Sequence, residues 1–461
     1  MGVGGFHRAH QAVYLDDLLS FGDAEGWGEC GLGVLKSDSR MRDALKSQDC
    51  LYTVVERSAH TQEARVIGSM IDYVYAPDQR DAAIEKMADP ACRIVSLTIT
   101  EGGYFIDEAT AKFDEKHPDI QHDLSHPETP ISSLGLIAAA LDRRRQRQLP
   151  PVTIMSCDNL QGNGDVVRRV LEAFTGMLNS DLHRWISQNV AFPNSMVDRI
   201  TPATTAADIA LVSDSFGVRD AWPVVTEPFR QWVIEDRFCA GRPQWERVGA
   251  QIVGDVAPYE IMKMRLLNGS HLAMAYLGAI AGFTYVHEIM QDQLFLTFIE
   301  KFMEEVTPIV PKIPGTSIPD YKRTLIARFS NPTINDQVTR ICSEGSAKMP
   351  KWVLPSIVDL LQQGASIRLL ALVVAGWIRY LGRERDERGK PLEIIDARSK
   401  ELTEIAKNIA SDPRPMLAVR SIFGDVLPRE RAFVDEVEQA LGLLTRLGAA
   451  ATIRSYLVSP S

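Results

Sequence analysis

The chain has little from which to build a disulfide framework or a metal centre. Its six cysteines, Cys30, Cys50, Cys92, Cys157, Cys239 and Cys342, are scattered through 461 residues with no CxxC pair. No HExxH segment occurs, and His117, His122 and His126 sit among prolines in HPDIQHDLSHP, which reads as a solvated loop. Zinc-ligand spacing is therefore missing, and no metal is expected. Nor is there a basic excess: the formal net charge of -10 argues against a nucleic-acid or anionic-membrane partner. The longest apolar run, residues 369–378, is too short to span a bilayer and is followed by Arg379, so it reads as a buried helix. With no signal peptide ahead of them, the unpaired cysteines fit a reducing cytoplasm.

What is present is the composition of a globular protein, 45% hydrophobic and 24% charged, in a chain long enough for two cores. β-rich runs at 30–36, 51–56, 64–69, 93–100 and 152–157 alternate with helical patterns at 79–87 and 131–146. That alternation marks a mostly parallel sheet with helices on both faces. Beyond residue 258 strand signals become scarce, and helical periodicity returns at 293–306, 321–329, 352–362, 367–381, 401–409 and 431–444. The fold class expected is α/β: a Rossmann-like, mostly parallel sheet domain over residues 1–254, followed by a mostly α-helical domain over 255–461.

The opening, MGVGGFHRAHQAVYLDDLL, has the form of a strand-to-helix phosphate turn. Gly2 and Gly4 would let the backbone approach a pyrophosphate at a helix N-terminus, although His7 holds the third glycine position of G-x-G-x-x-G. The strand that should precede the turn is reduced to Met1. Either the chain begins late or the fold does without its central strand, and the first is preferred. Loss of that strand would deprive the cofactor half of a buried partner, which makes an inactive, cofactor-deficient protein the competing class. At the end of the next strand, Asp38 can accept hydrogen bonds from an adenosine ribose and repel a 2′-phosphate, favouring NAD over NADP. It serves equally well as an N-cap for a helix beginning near Ser39.

The most informative stretch is YEIMKMRLLNGSHLAMAYLGAIAG, residues 259–282. It is an apolar helix with almost no polar face, which predicts burial. Lys263, Asn268 and His271 interrupt it, falling at roughly 0°, 140° and 80° around an α-helix, within one arc. A lysine there must be paired or give up its proton, and a mid-helix glycine adds about 1 kcal/mol. Two broken rules in one helix suggest a site; a helix end at Asn268-Gly269, with Lys263 reaching out to water, accounts for the residues equally well.

Five segments taken in order, GVGGFHRAHQAVY, SLTITEGGY, SCDNLQGNG, FPNSMVDRITP and KMRLLNGSHLA, resemble the polyol-specific long-chain dehydrogenase family, nearly end to end. The resemblance implies a metal-independent hydride transfer between NAD and a polyol/ketose pair. Mannitol and fructose are the leading pair, with arabinitol or a sugar acid (mannonate and fructuronate) as alternatives. It places the family's catalytic lysine on Lys263, its asparagines on Asn268 and Asn159, and its histidine on His271. It also places substrate contacts on Asp198 of VDR and, by looser motifs, on Arg340 and Lys348. Gly2, Gly4, Phe6 and Asp38 fall to the cofactor. These residue types suit the chemistry. A neutral lysine can take the hydroxyl proton, asparagine N–H groups can hold the developing oxyanion at about 3 kcal/mol each, and His271 can orient the lysine or the substrate oxygen. The partner expected is a small-molecule polyol or ketose; the oligomeric state is left open, a monomer included.

Overall fold

The computed structural model describes all residues except 23, 25, 108–111 and 459–461. It divides into two compact units, Met1–Ala257 and Pro258–Ser461.

In the first unit, parallel strand pairs are Glu29–Gly33 with Met70–Tyr75 and Ile94–Leu97 with Thr153–Ser156. Residues 1 and 2 bridge these pairs. The Met1 amine donates to the Ser96 carbonyl at 2.6 Å and the Met1 carbonyl accepts from the Thr98 N–H at 3.0 Å. On the other side the Gly2 N–H donates to the Leu32 carbonyl at 3.0 Å. The position expected for a central strand is thus filled over two residues. Helices Ser133–Gln146 and Asn163–Leu178 bury Leu136, Leu141, Val167, Leu171 and Phe174 in one core with Val95, Leu97 and Ile154 of the strands.

A second group of strands carries the remainder of the unit. Val224–Thr226 runs parallel to Tyr52–Arg57, which pairs antiparallel with Gln62–Ile67. Gln231–Glu235 lies between Gln251–Val253, parallel, and Ser195–Asp198, antiparallel. Pro228 separates two strands here, because proline supplies no ladder donor. The histidine segment expected as a loop is a helix, Pro118–Ser125, with His117 as its N-cap and Pro118 in its first turn. Proline is favoured at that position because its missing N–H would have no partner there. Asp123 in it accepts from the Ile131 and Ser132 N–H groups at 2.8 and 2.9 Å and so anchors the following loop.

The second unit is helical. Every residue from Gly269 to Ile280 is buried, because the helix Gly269–Ala281 is surrounded by Gln293–Val306, Val338–Cys342, Arg368–Leu381 and Ala449–Val458. The apolar run within Arg368–Leu381 is a buried helix here, and no helix among the described residues is long and apolar enough to cross a membrane.

Gly2 has φ +80°, and a Cβ on it would fall 2.1 Å from the Thr98 carbonyl oxygen, a backbone atom. Gly2→Ala is therefore expected to lower folding stability by at least ~1 kcal/mol, measured by denaturant unfolding.

Candidate active site

The helix carrying the sequence-predicted lysine is built in three pieces: α-helical Ala257–Lys263, a π-helical turn over Met264–Asn268, and α-helical Gly269–Ala281. Asn268 (φ -67°, ψ -39°) and Gly269 (φ -60°, ψ -45°) keep helical dihedrals. The helix ends only at Gly282, with φ +89°, so Asn268-Gly269 is not a helix end. In the wide turn the Gly269 N–H donates to the Met264 carbonyl, an i→i+5 bond that takes one more residue around the axis than an α-turn. At roughly 80° per residue through that turn, Lys263, Asn268 and His271 fall within about 60° of arc; an uninterrupted α-helix spreads them over about 140°. The glycine has a packing reason as well: a Cβ at residue 269 would meet the Phe302 ring at 3.3 Å.

All three polar side chains are buried, Lys263 to 8% exposure, Asn268 to 5% and His271 to 8%. Lys263 therefore does not reach out to bulk water. The His271 ring packs 4.7 Å from that of Phe329. Asn268 Oδ1 is fully buried with no hydrogen-bond partner among the described residues, an arrangement that costs about 1–3 kcal/mol where nothing fills the acceptor.

Two neighbouring helices bring the more loosely assigned cations to this helix. Val338–Cys342 packs on Gly269–Ala281 and carries Arg340; Gly345–Trp352 packs on the π turn and carries Lys348. Lys348 Nζ donates to the Ile341 carbonyl at 3.1 Å and lies 5.7 Å from the centre of the Trp352 ring. Arg340 makes a two-pronged bond to Asp336, Nε to Oδ1 and Nη2 to Oδ2, each 2.7 Å. Sequence reasoning passed over Asp336, although its i,i+4 spacing to Arg340 is a readable signal.

In the first unit, the remaining assigned residues lie at or just past strand ends and in the first helix. Gly4 follows Gly2 in the turn into the helix Gly5–Ala9, and beyond its Cα there is open space for 4 Å. Phe6 stacks on His10, ring centres 4.9 Å apart. Asp38, just past Glu29–Gly33, accepts from the Val34 and Leu35 N–H groups through Oδ2 at 2.8 and 2.9 Å; it places no side-chain cap on the helix Ser39–Ser47. Asn159 is exposed past the end of Thr153–Ser156, and Asp198 is the buried last residue of Ser195–Asp198. Glu227, buried near the same strands, accepts from the Ile200 N–H at 2.6 Å.

Asp158, beside Asn159, was not foreseen. Its carboxylate accepts from the Ile99 and Thr100 N–H groups at 3.1 and 2.9 Å and from the Tyr104 hydroxyl at 2.5 Å. Burial pushes the carboxyl above its ordinary range. These bonds hold Thr100 at φ +60°, ψ 171°, a conformation that side-chain-bearing residues adopt only under constraint.

Because Asn268 Oδ1 has no partner, Asn268→Leu, close in volume, should leave folding stability unchanged or raise it by about 1 kcal/mol. Thermal unfolding reads this; a loss of several degrees in Tm would contradict it.

The chain matches the family model described as the mannitol dehydrogenase Rossmann domain over residues 1–247, and the mannitol dehydrogenase C-terminal domain over residues 255–445. It is 48% identical to a mannitol 2-dehydrogenase of Aspergillus fumigatus across 99% of this chain and 92% of that protein. Among solved structures, the Pseudomonas fluorescens mannitol 2-dehydrogenase in ternary complex with NAD and D-mannitol superposes with a TM-score of 0.90 at 47% identity, covering 100% of this chain and 94% of that one. A D-sorbitol dehydrogenase in substrate-free form gives a TM-score of 0.89 at 34% identity, covering 98% of this chain and 93% of that one. Two family models that together span nearly the whole length, with relatives this similar, place the chain in the mannitol dehydrogenase family.

Proposed function

We propose that the chain is a metal-independent oxidoreductase moving a hydride between NAD and a polyol/ketose pair, and that the pair is mannitol and fructose. The observation that carries the reading is the buried Lys263 sharing one narrow arc with Asn268 and His271. It occurs in a chain 47% identical to a protein crystallised with NAD and D-mannitol.

The first unit fits the dinucleotide. Its glycine turn has Gly2 in a conformation a side chain would obstruct and open space beyond Gly4, which suits close approach of a pyrophosphate. Bound NAD would supply the acceptor for the hydride of the carbinol carbon. The proton and the charge fall to this chain's side chains. Lys263 in its unprotonated form takes the hydroxyl proton, and in the reverse direction its ammonium returns that proton to the ketose oxygen. Asn268 and Asn159 offer N–H donors to the developing oxyanion. His271 orients the lysine amine or the reacting oxygen. Asp198 accepts from substrate hydroxyls, and Arg340 and Lys348 donate to hydroxyls farther along the polyol. The six free cysteines fit a reducing cytoplasm as the place of work.

Lys263→Ala is expected to lower mannitol turnover at least ~100-fold while the NAD dissociation constant, followed by fluorescence, stays within about twofold. Comparable oxidation by the variant would remove the assigned base. Among mannitol, arabinitol and mannonate, mannitol should give the highest kcat/KM with NAD; fastest turnover with mannonate would reassign the substrate.

A further inference from the structure

Arg340 and Lys348 together would suit a carboxylate as well as hydroxyls, so their presence does not by itself choose between a neutral polyol and a sugar acid. The neighbour of Arg340 does. Asp336 holds the side-on edge of the guanidinium, with both N–O distances at 2.7 Å, and its side chain is only 9% exposed against 60% for that of Arg340. The backbone that carries the carboxylate is held on its other side. The Asp336 carbonyl accepts from the Val286 N–H at 3.0 Å, Gln337 forms an antiparallel bridge with Tyr285, and the Val338 N–H donates to the Thr284 carbonyl at 3.0 Å. Arg340 Nη1 has no partner among the described residues, so the guanidinium still offers donors to an incoming oxygen.

We infer that Asp336 is a specificity-determining residue that turns the Arg340 and Lys348 pair into a site for uncharged polyols and against sugar acids. This rests on the proposed role of Arg340 and Lys348 as substrate contacts. The physical argument has two parts. Asp336 cancels the charge of Arg340, leaving the pair with one net positive charge where it would have two. It also takes the edge of the fork that pairs best with a carboxylate, and any substrate carboxylate binding the remaining edge lies close to a fixed negative charge. A hydroxyl loses neither contact, since it needs a single donor and carries no charge. The side chain acts through Arg340 and is a positioning residue.

The test is Asp336→Asn, with kcat/KM measured for mannitol and for mannonate in the same preparation at low and at physiological salt. The expected result is a rise of about tenfold or more in the mannonate-to-mannitol ratio, larger at low salt, while Asp336→Glu, which keeps the charge, retains the wild-type ratio. An unchanged ratio in the Asn variant overturns the inference, even if both activities fall together. If the Asn variant does not fold, Asp336→Ser replaces it under the same criterion. Failure of the underlying reading shows separately: wild-type enzyme would prefer mannonate, or Arg340→Met would leave the mannitol KM unmoved.

Discussion

A single backbone bond, from the Gly269 N–H to the Met264 carbonyl, sets the geometry on which the proposed chemistry depends. Spanning five residues, it admits one extra residue into the turn between Lys263 and Asn268, and so rotates Asn268 and His271 toward the lysine. A turn this wide is intrinsically poor, and it persists because the helix around it is locked. Residues Gly269 to Ile280 are all buried among four other helices, and the Phe302 ring fills the space that a side chain at residue 269 would take. Lys263 lies in the same buried stretch and is only 8% exposed. Geometry and environment therefore share one cause, the close packing of the second unit around its central helix.

The first unit uses its charges differently. Asp158, Asp123 and Glu227 each accept backbone N–H groups: those of Ile99 and Thr100, of Ile131 and Ser132, and of Ile200. Arg199 is buried in the same way, donating to the Ala9 and Glu227 carbonyls and to Glu56. Buried carboxylates and guanidinium groups of this kind satisfy loop backbone that would otherwise have no partner. They fix the strand ends at which Asn159, Asp198 and the glycine turn are displayed. Asp336 in the second unit extends the pattern, with the difference that its partner is another side chain and remains exposed.

Much of this was legible in the chain itself. The apolar run at 259–282 announced a buried helix, and Lys263, Asn268 and His271, which interrupt it, lie on one continuous helix. The alternation of strand and helix patterns gave the fold class of each half. Other features were hidden for physical reasons. A π turn has no sequence signature, since the same residues form an α-helix unless packing dictates otherwise. The helix Gly345–Trp352 contains Pro350, which reads as a breaker, and the helix Pro118–Ser125 has the sequence of a loop because proline at a helix start looks like proline in a turn. Asp336 carries a readable spacing to Arg340, but only the fold shows that the pair is two-pronged and that the backbone of residues 336–338 is held by residues 284–286.

The central claim is that an uncharged amine at residue 263 takes the hydroxyl proton, and chemical rescue tests it most directly. Mannitol oxidation by Lys263→Ala should be restored in part by small primary amines, in proportion to the concentration of free base and independent of the concentration of the ammonium form. Absence of rescue by any amine small enough to enter the space left by the lysine side chain, in a variant that still binds NAD, would contradict the account.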